Sequence, residues 1–284
     1  MRFGFVLPGG SAVEQMEHAV RAEQAGWDGI FAWEAAYGVE PWTLLSAIAQ
    51  RTQRLRLGTM LTPLPWRRPW KLASQVATLD QLSGGRAILA VGLGAIDPEL
   101  GETPEEKDRG RRAAMLDEGI DLIRGFWEGR LRFEGQHYRI DLSVRPDFAR
   151  AAQPVQQRIP IWVVGAWPGP RSMRRVLRCD GLLPAAIEGG RPRGVQPEDV
   201  RAMRAWLVAH GARADLDIIS EGETPAHDPE RAREQVRPWA EASCTWWLET
   251  RWDKPEAVVE RIQAGPPRAP EPASPGADAG GLSR

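Results

Sequence analysis

Eight short stretches of the 284-residue chain are apolar almost without interruption: 2–7, 29–33, 55–61, 87–93, 161–166, 181–185, 216–220 and 244–248. Such runs do not alternate between apolar and polar, which marks parallel strands buried on both faces. Between them apolar residues return every three or four positions, as at Leu72, Val76 and Leu79, and predict helices over about 12–25, 42–51, 72–82, 170–178, 197–210, 229–242 and 255–263. Ser83-Gly84-Gly85 and Gly26 stop two of these helices, and Pro255 starts the last. After the fourth strand comes an excursion. It holds a polar loop, a helix over 114–127 and a small hairpin or irregular crossover around Gly135. Strand and helix alternating eight times predict an α/β fold, a (β/α)8 barrel with an excursion between strands four and five, over an open Rossmann-like sheet. The open sheet would lean on Gly92-x-Gly94, but position 97 is Asp and not the third glycine. Residues 1–263 form the expected barrel domain. Residues 264–284 are rich in Pro, Gly, Ala and Ser, without apolar periodicity, and are expected to be a disordered tail.

Composition narrows the function by exclusion. A net charge of -1 removes the expectation of a nucleic-acid or anionic-membrane surface. No apolar run approaches the ~20 residues that span a bilayer. With no leader visible and two unpaired-looking cysteines, Cys179 and Cys244, the expected place is the cytoplasm. In a barrel the chemistry sits on loops after the C-terminal strand ends. Those ends carry no cluster of His or Cys, so no metal is expected, and no Gly-x-Ser-x-Gly elbow. They offer glycines, apolar side chains, tryptophans from an unusual total of 13, and scattered carboxylates. Flat walls and close backbone approach suit a large planar cofactor. Glu34, Glu221 and Glu249 are the weak candidates for an acid or base. Gly165-Ala166-Trp167 before Pro170 reads either as a phosphate cradle at a helix N-terminus or as an ordinary loop. Trp246 and Trp247 either fill the barrel or face a ring system, with Trp247 as the cofactor candidate.

These residues resemble the luciferase-like flavin-dependent oxidoreductases, which include bacterial luciferase, alkanesulfonate monooxygenases and coenzyme F420-dependent reductases. The resemblance is carried by MRFGFVLP at the start, AEQAGWDGIFAWE at 22–34, the stretch 51–94 ending AILAVGLG, MLDEGIDLIRGFW at 115–127, IPIWVVGAW at 159–167 and CDGLLP at 179–184. It implies a (β/α)8 barrel with reduced FMN or F420 at the C-terminal face. The matching cofactor positions are Glu34, Thr59, Met60, Leu61, Thr62, Gly92, Gly94, Gly165 and Ala166, to which Trp167 at the end of strand five is added. It also implies a cis peptide at Met60-Leu61, a homodimer, and a flavin reductase as a possible supplier of reduced cofactor. Three departures stand out. Glu34-Ala35 replaces the family's usual Asp-His, Ala95 stands where the sugar-phosphate dehydrogenases have Glu, and Arg109 and Ala113 stand where many monooxygenases have His and Tyr. The expected function is oxidation of an apolar small molecule with FMNH2 and O2. The alternatives are F420-dependent hydride transfer, or flavin binding without turnover.

Overall fold

The computed structural model describes residues 1–94, 105–251 and 257–268. Its elements, in chain order, are β1 (Arg2–Val6), α1 (Ala12–Gln24), β2 (Gly29–Ala32), α2 (Pro41–Ala49), β3 (Arg56–Thr59), the two-residue β4 (Thr62–Pro63), α3 (Pro69–Ser83) and β5 (Ala87–Gly92). The excursion holds α4 (Arg109–Trp127), the hairpin β6 (Arg132–Glu134) and β7 (Arg139–Asp141), and α5 (Pro146–Ala151). Then follow β8 (Ile161–Trp167), α6 (Pro170–Val176), β9 (Gly181–Glu188), β10 (Arg191–Arg193), α7 (Pro197–Ala209), β11 (Asp217–Gly222), α8 (Pro229–Glu241), β12 (Trp246–Glu249) and α9 (Val258–Gln263).

β1, β2, β3, β5, β8, β9, β11 and β12 pair in parallel in that order, and β12 returns to β1, for example Phe3 opposite Trp247. The fold is a closed (β/α)8 barrel. Strand three breaks after Thr59, and the peptide Met60–Leu61 is cis. β4 then resumes against β5, Thr62 opposite Val91. Two short elements escaped the periodicity. β10 extends β9 as an antiparallel flap, and α5 is a single six-residue turn of helix too short to show a repeat.

Strand alternation sorts side chains into two buried layers. Val6, Phe31, Ile88, Ala90, Trp162, Leu183, Ile219, Trp246 and Leu248 fill the barrel interior. The larger layer, with Phe5, Leu57, Leu89, Val163, Leu182 and Trp247, packs the sheet against the helices. Phe31, Trp162 and Trp246 meet at the centre with ring centroids 5.3–5.8 Å apart. Glycine makes room for them: a Cβ on Gly181 would fall 2.2 Å from Trp162. At the opposite end from the site, Asp180 accepts from Arg124 (2.6 Å), Arg213 (3.0 Å) and the backbone of Ile161 (2.9 Å), and Arg158 joins it. Burial opposes the charge of Asp180, but Arg124 and its other donors outweigh it and hold the carboxyl below the usual range.

The first five residues of the expected tail, 264–268, are described. Arg268 pairs with Asp28 at 2.6 Å and lies over the ring of Phe3, so the described residues 264–268 pack on the barrel base. Residues 269–284, most of that expected tail, lie outside the described residues.

Candidate functional site

At the C-terminal face, alternation decides which side chains look into the mouth. Counting two positions on from interior residues gives Gly92 after Ala90, Ala166 after Val164, Ala185 after Leu183, and Glu221 after Ile219. Met60 and Leu61 pack on the interior cluster from the broken third strand. Three neighbouring strands therefore present only hydrogen or methyl groups. A Cβ on Gly92 would lie 2.9 Å from Leu61, so glycine there lets the Leu61 side chain lie against β5. Trp33, 41% exposed, stands at the rim with Gly9, Gly10 and Tyr37 around a cavity of about 220 Å3.

The same count turns other expected contacts away. Gly165 faces the helices, where a Cβ would strike Leu182 at 2.3 Å and Met173 at 3.0 Å. Trp167 packs on the sheet–helix layer. Trp247 lies in that layer too, 5.8 Å from the ring of Trp239 on α8. It is Trp246 that fills the barrel. Thr59 and Thr62 are fully buried; Thr62 Oγ1 bonds to Thr59 Oγ1 at 3.0 Å, and Thr59 to the carbonyl of Ala90 at 3.2 Å, tying the two halves of strand three together. Gly94 has φ +80°, and a Cβ there would meet Pro63 at 2.8 Å. It lets the β5 loop lie against the strand-three loop, and Arg112 holds its carbonyl at 2.9 Å. Two donors of the expected phosphate cradle are engaged within the chain. Ser172 accepts from the N–H of Ala166 at 2.9 Å, and Gly169 donates to Ala166. Ala95 lies outside the described residues.

The three candidate carboxylates have different surroundings. Glu34, its side chain 5% exposed, accepts from Arg67 Nε at 2.6 Å, and the same guanidinium reaches Glu40 at 2.8 Å. Burial raises the Glu34 pKa, and Arg67 opposes the shift. Its second oxygen, Oε2, is buried without a hydrogen-bond partner among the described residues. Arg67 was not foreseen, because nothing in a Pro-rich loop marks which carboxylate it will meet. Glu249 is fully buried and locked outward. Thr224 donates to it through N (2.7 Å) and Oγ1 (2.8 Å), and Arg251 and Arg261 pair with it at 3.2 and 3.4 Å. Glu221 makes no hydrogen bond or ion pair among the described residues, and loss of hydration raises its pKa. As a residue Glu221 is exposed at the end of β11.

Comparison with known proteins places this geometry. The family profile described as luciferase-like monooxygenase matches residues 1–273. An F420-dependent glucose-6-phosphate dehydrogenase of Nakamurella multipartita is 35% identical over 80% of this chain and 68% of its own length. One from Intrasporangium calvum is 31% identical over 88% of this chain and 84% of its own. Among solved structures, an F420-dependent secondary alcohol dehydrogenase in complex with an F420–acetone adduct superposes with TM-score 0.72 at 16% identity, over 92% of this chain and 97% of that one. At that identity the likeness is one of fold.

Proposed function

The chain belongs to the luciferase-like monooxygenase family, and from that premise we propose that this oxidoreductase works with coenzyme F420, transferring hydride to or from a small, mainly apolar molecule. The observation that carries the choice of cofactor is the identity of 35% over 80% of the chain with a relative named for F420. It favours the second of the two mechanisms expected from the sequence. Oxygen chemistry on FMNH2 stands behind it, and the flavin reductase expected as its supplier goes with that reading.

The mouth fits a flat tricyclic ring. Gly92 and Ala166 leave a shallow wall, Met60 and Leu61 would back the ring, and the orphan Oε2 of Glu34 would meet a polar ring edge. When bound, the deazaflavin supplies the carbon that takes up or gives back hydride. The chain's own residues orient the ring, keep water from the reacting face and hold Glu34 in place through Arg67. By the family resemblance we also propose a homodimer; a monomeric mass in solution would overturn it. Among the described residues no helix is long and apolar enough to cross a membrane.

Titration with oxidised F420 and with FMN, followed by tryptophan fluorescence, tests the proposal. F420 is expected to bind at least about tenfold more tightly, a difference of about 1.4 kcal/mol. Preference for FMN would restore the oxygen reading, and binding of neither would end both.

A further inference from the structure

We infer that Glu221 exchanges the substrate proton, and that the substrate is an uncharged, non-phosphorylated alcohol or carbonyl compound; the inference rests on the F420 reading above. Three observations carry it. Register places Glu221 opposite Leu248 of β12, an interior residue, and two residues beyond the interior Ile219. Its carboxyl therefore stands at the inner rim where a substrate above the cofactor would lie. Among the described residues it is also the uncommitted member of the acidic set. Glu34 is held by Arg67, Glu249 by Thr224, Arg251 and Arg261, and Glu223 pairs with Arg251 at 2.9 Å. Among the strand positions described as facing the mouth, Glu221 is the one side chain that can carry a proton.

The third observation concerns charge. A sugar phosphate needs open cations or N–H groups. Among the described residues, Arg67, Arg251 and Arg112 are spent on Glu34 and Glu40, on Glu223 and Glu249, and on the carbonyls of Leu93 and Gly94, which leaves Arg171, exposed on the first turn of α6, as a cation without an ion pair there. The cradle at Ala166 is closed by Ser172. An unpaired carboxylate at the rim repels a dianion and leaves an uncharged hydroxyl or carbonyl welcome. In the oxidising direction the carbinol C–H bond breaks and its two electrons leave with hydride to F420. The hydroxyl proton passes to a Glu221 carboxylate oxygen as the C=O bond forms, and then to solvent. Reduction of a carbonyl reverses each transfer.

Two measurements test this on the full chain. A water-soluble carbodiimide with an added amine couples to accessible carboxyls, and peptide mapping should find the modification on Glu221, with F420 protecting. Labelling that spares Glu221 would count against the inference. In the second, F420-loaded protein is given cyclohexanol or glucose 6-phosphate. Cyclohexanol should reduce F420 and glucose 6-phosphate should not. Glu221→Gln should slow turnover on the order of 10²–10⁴-fold with F420 affinity unchanged, and Glu221→Asp should restore part of the rate. Turnover of glucose 6-phosphate, no turnover of the alcohol, or a Glu221→Gln variant as fast as the parent would each overturn the inference. Failure to bind F420 would instead remove the reading it rests on.

Discussion

Glu221 on β11 and Glu249 on β12 are neighbours across a strand pair, yet alternation sends one into the mouth and the other into the helix layer. Glu221 has lost hydration without gaining a donor, so its folded pKa lies above the ordinary glutamate value of 4.5. The sign of its contribution follows. A raised carboxyl favours the folded state below the unfolded pKa, and that advantage is lost as pH rises through the folded pKa. Glu221→Gln removes no partner and should raise Tm at neutral pH. Because solvent reaches the carboxyl, the gain should be small, on the order of 1–3 °C. Below the ordinary glutamate pKa the gain should disappear. Thermal melts of both proteins across pH check this, and a lower Tm for the variant at pH 7 would mean that Glu221 has a partner.

At the scale of elements, Glu249 is a fastener. It draws the β11–α8 connection through Thr224, the segment after β12 through Arg251, and α9 through Arg261, whose guanidinium also lies over Trp27. Glu249→Gln leaves Arg261, 2% exposed, without an ion-pair partner among the described residues, and Arg251, 9% exposed, with Glu223 alone. Breaking a buried pair from one side costs about 3–5 kcal/mol, mostly the burden of the stranded charge. Urea denaturation should show a loss of that size. A variant within 1 kcal/mol of the parent would mean that water already reaches the cluster. The positions of the strands were legible because parallel strands buried on both faces are continuous apolar runs. That same continuity hides which residues face inward. Trp246 and Trp247 are identical to a reader of the sequence, and their roles are opposite in the barrel.

For the whole molecule, closure depends on filling the barrel with few, large side chains. Trp162 is fully buried against Phe31 and Trp246, and its Nε1 has no hydrogen-bond partner among the described residues. Its contribution is therefore volume and contact. Trp162→Ala should cost about 3–5 kcal/mol. Trp162→Phe, which keeps a ring and loses no hydrogen bond, should cost less than about 1.5 kcal/mol. Equal losses from the two would place the value of Trp162 in its N–H group. The mouth sits directly above this packed core, so the small residues Gly92, Ala166 and Ala185 rest on a firm floor.

The sequence alone determined the barrel, its excursion after the fourth strand, the family and the face that carries the candidate site, because these follow from local periodicity and from motifs contiguous in the chain. It also placed Met60, Leu61, Gly92 and Ala166 at that face. Tertiary structure decided the rest. That Gly165, Trp167 and Trp247 turn away, that Arg67 crosses to Glu34, and that Glu249 is bound while Glu221 stays unpaired among the described residues all depend on strand phase and on contacts between residues far apart in the chain. A side chain's phase is set by the pairing register, and an ion pair by loops that meet only on closure. Neither leaves a mark on the order of residues.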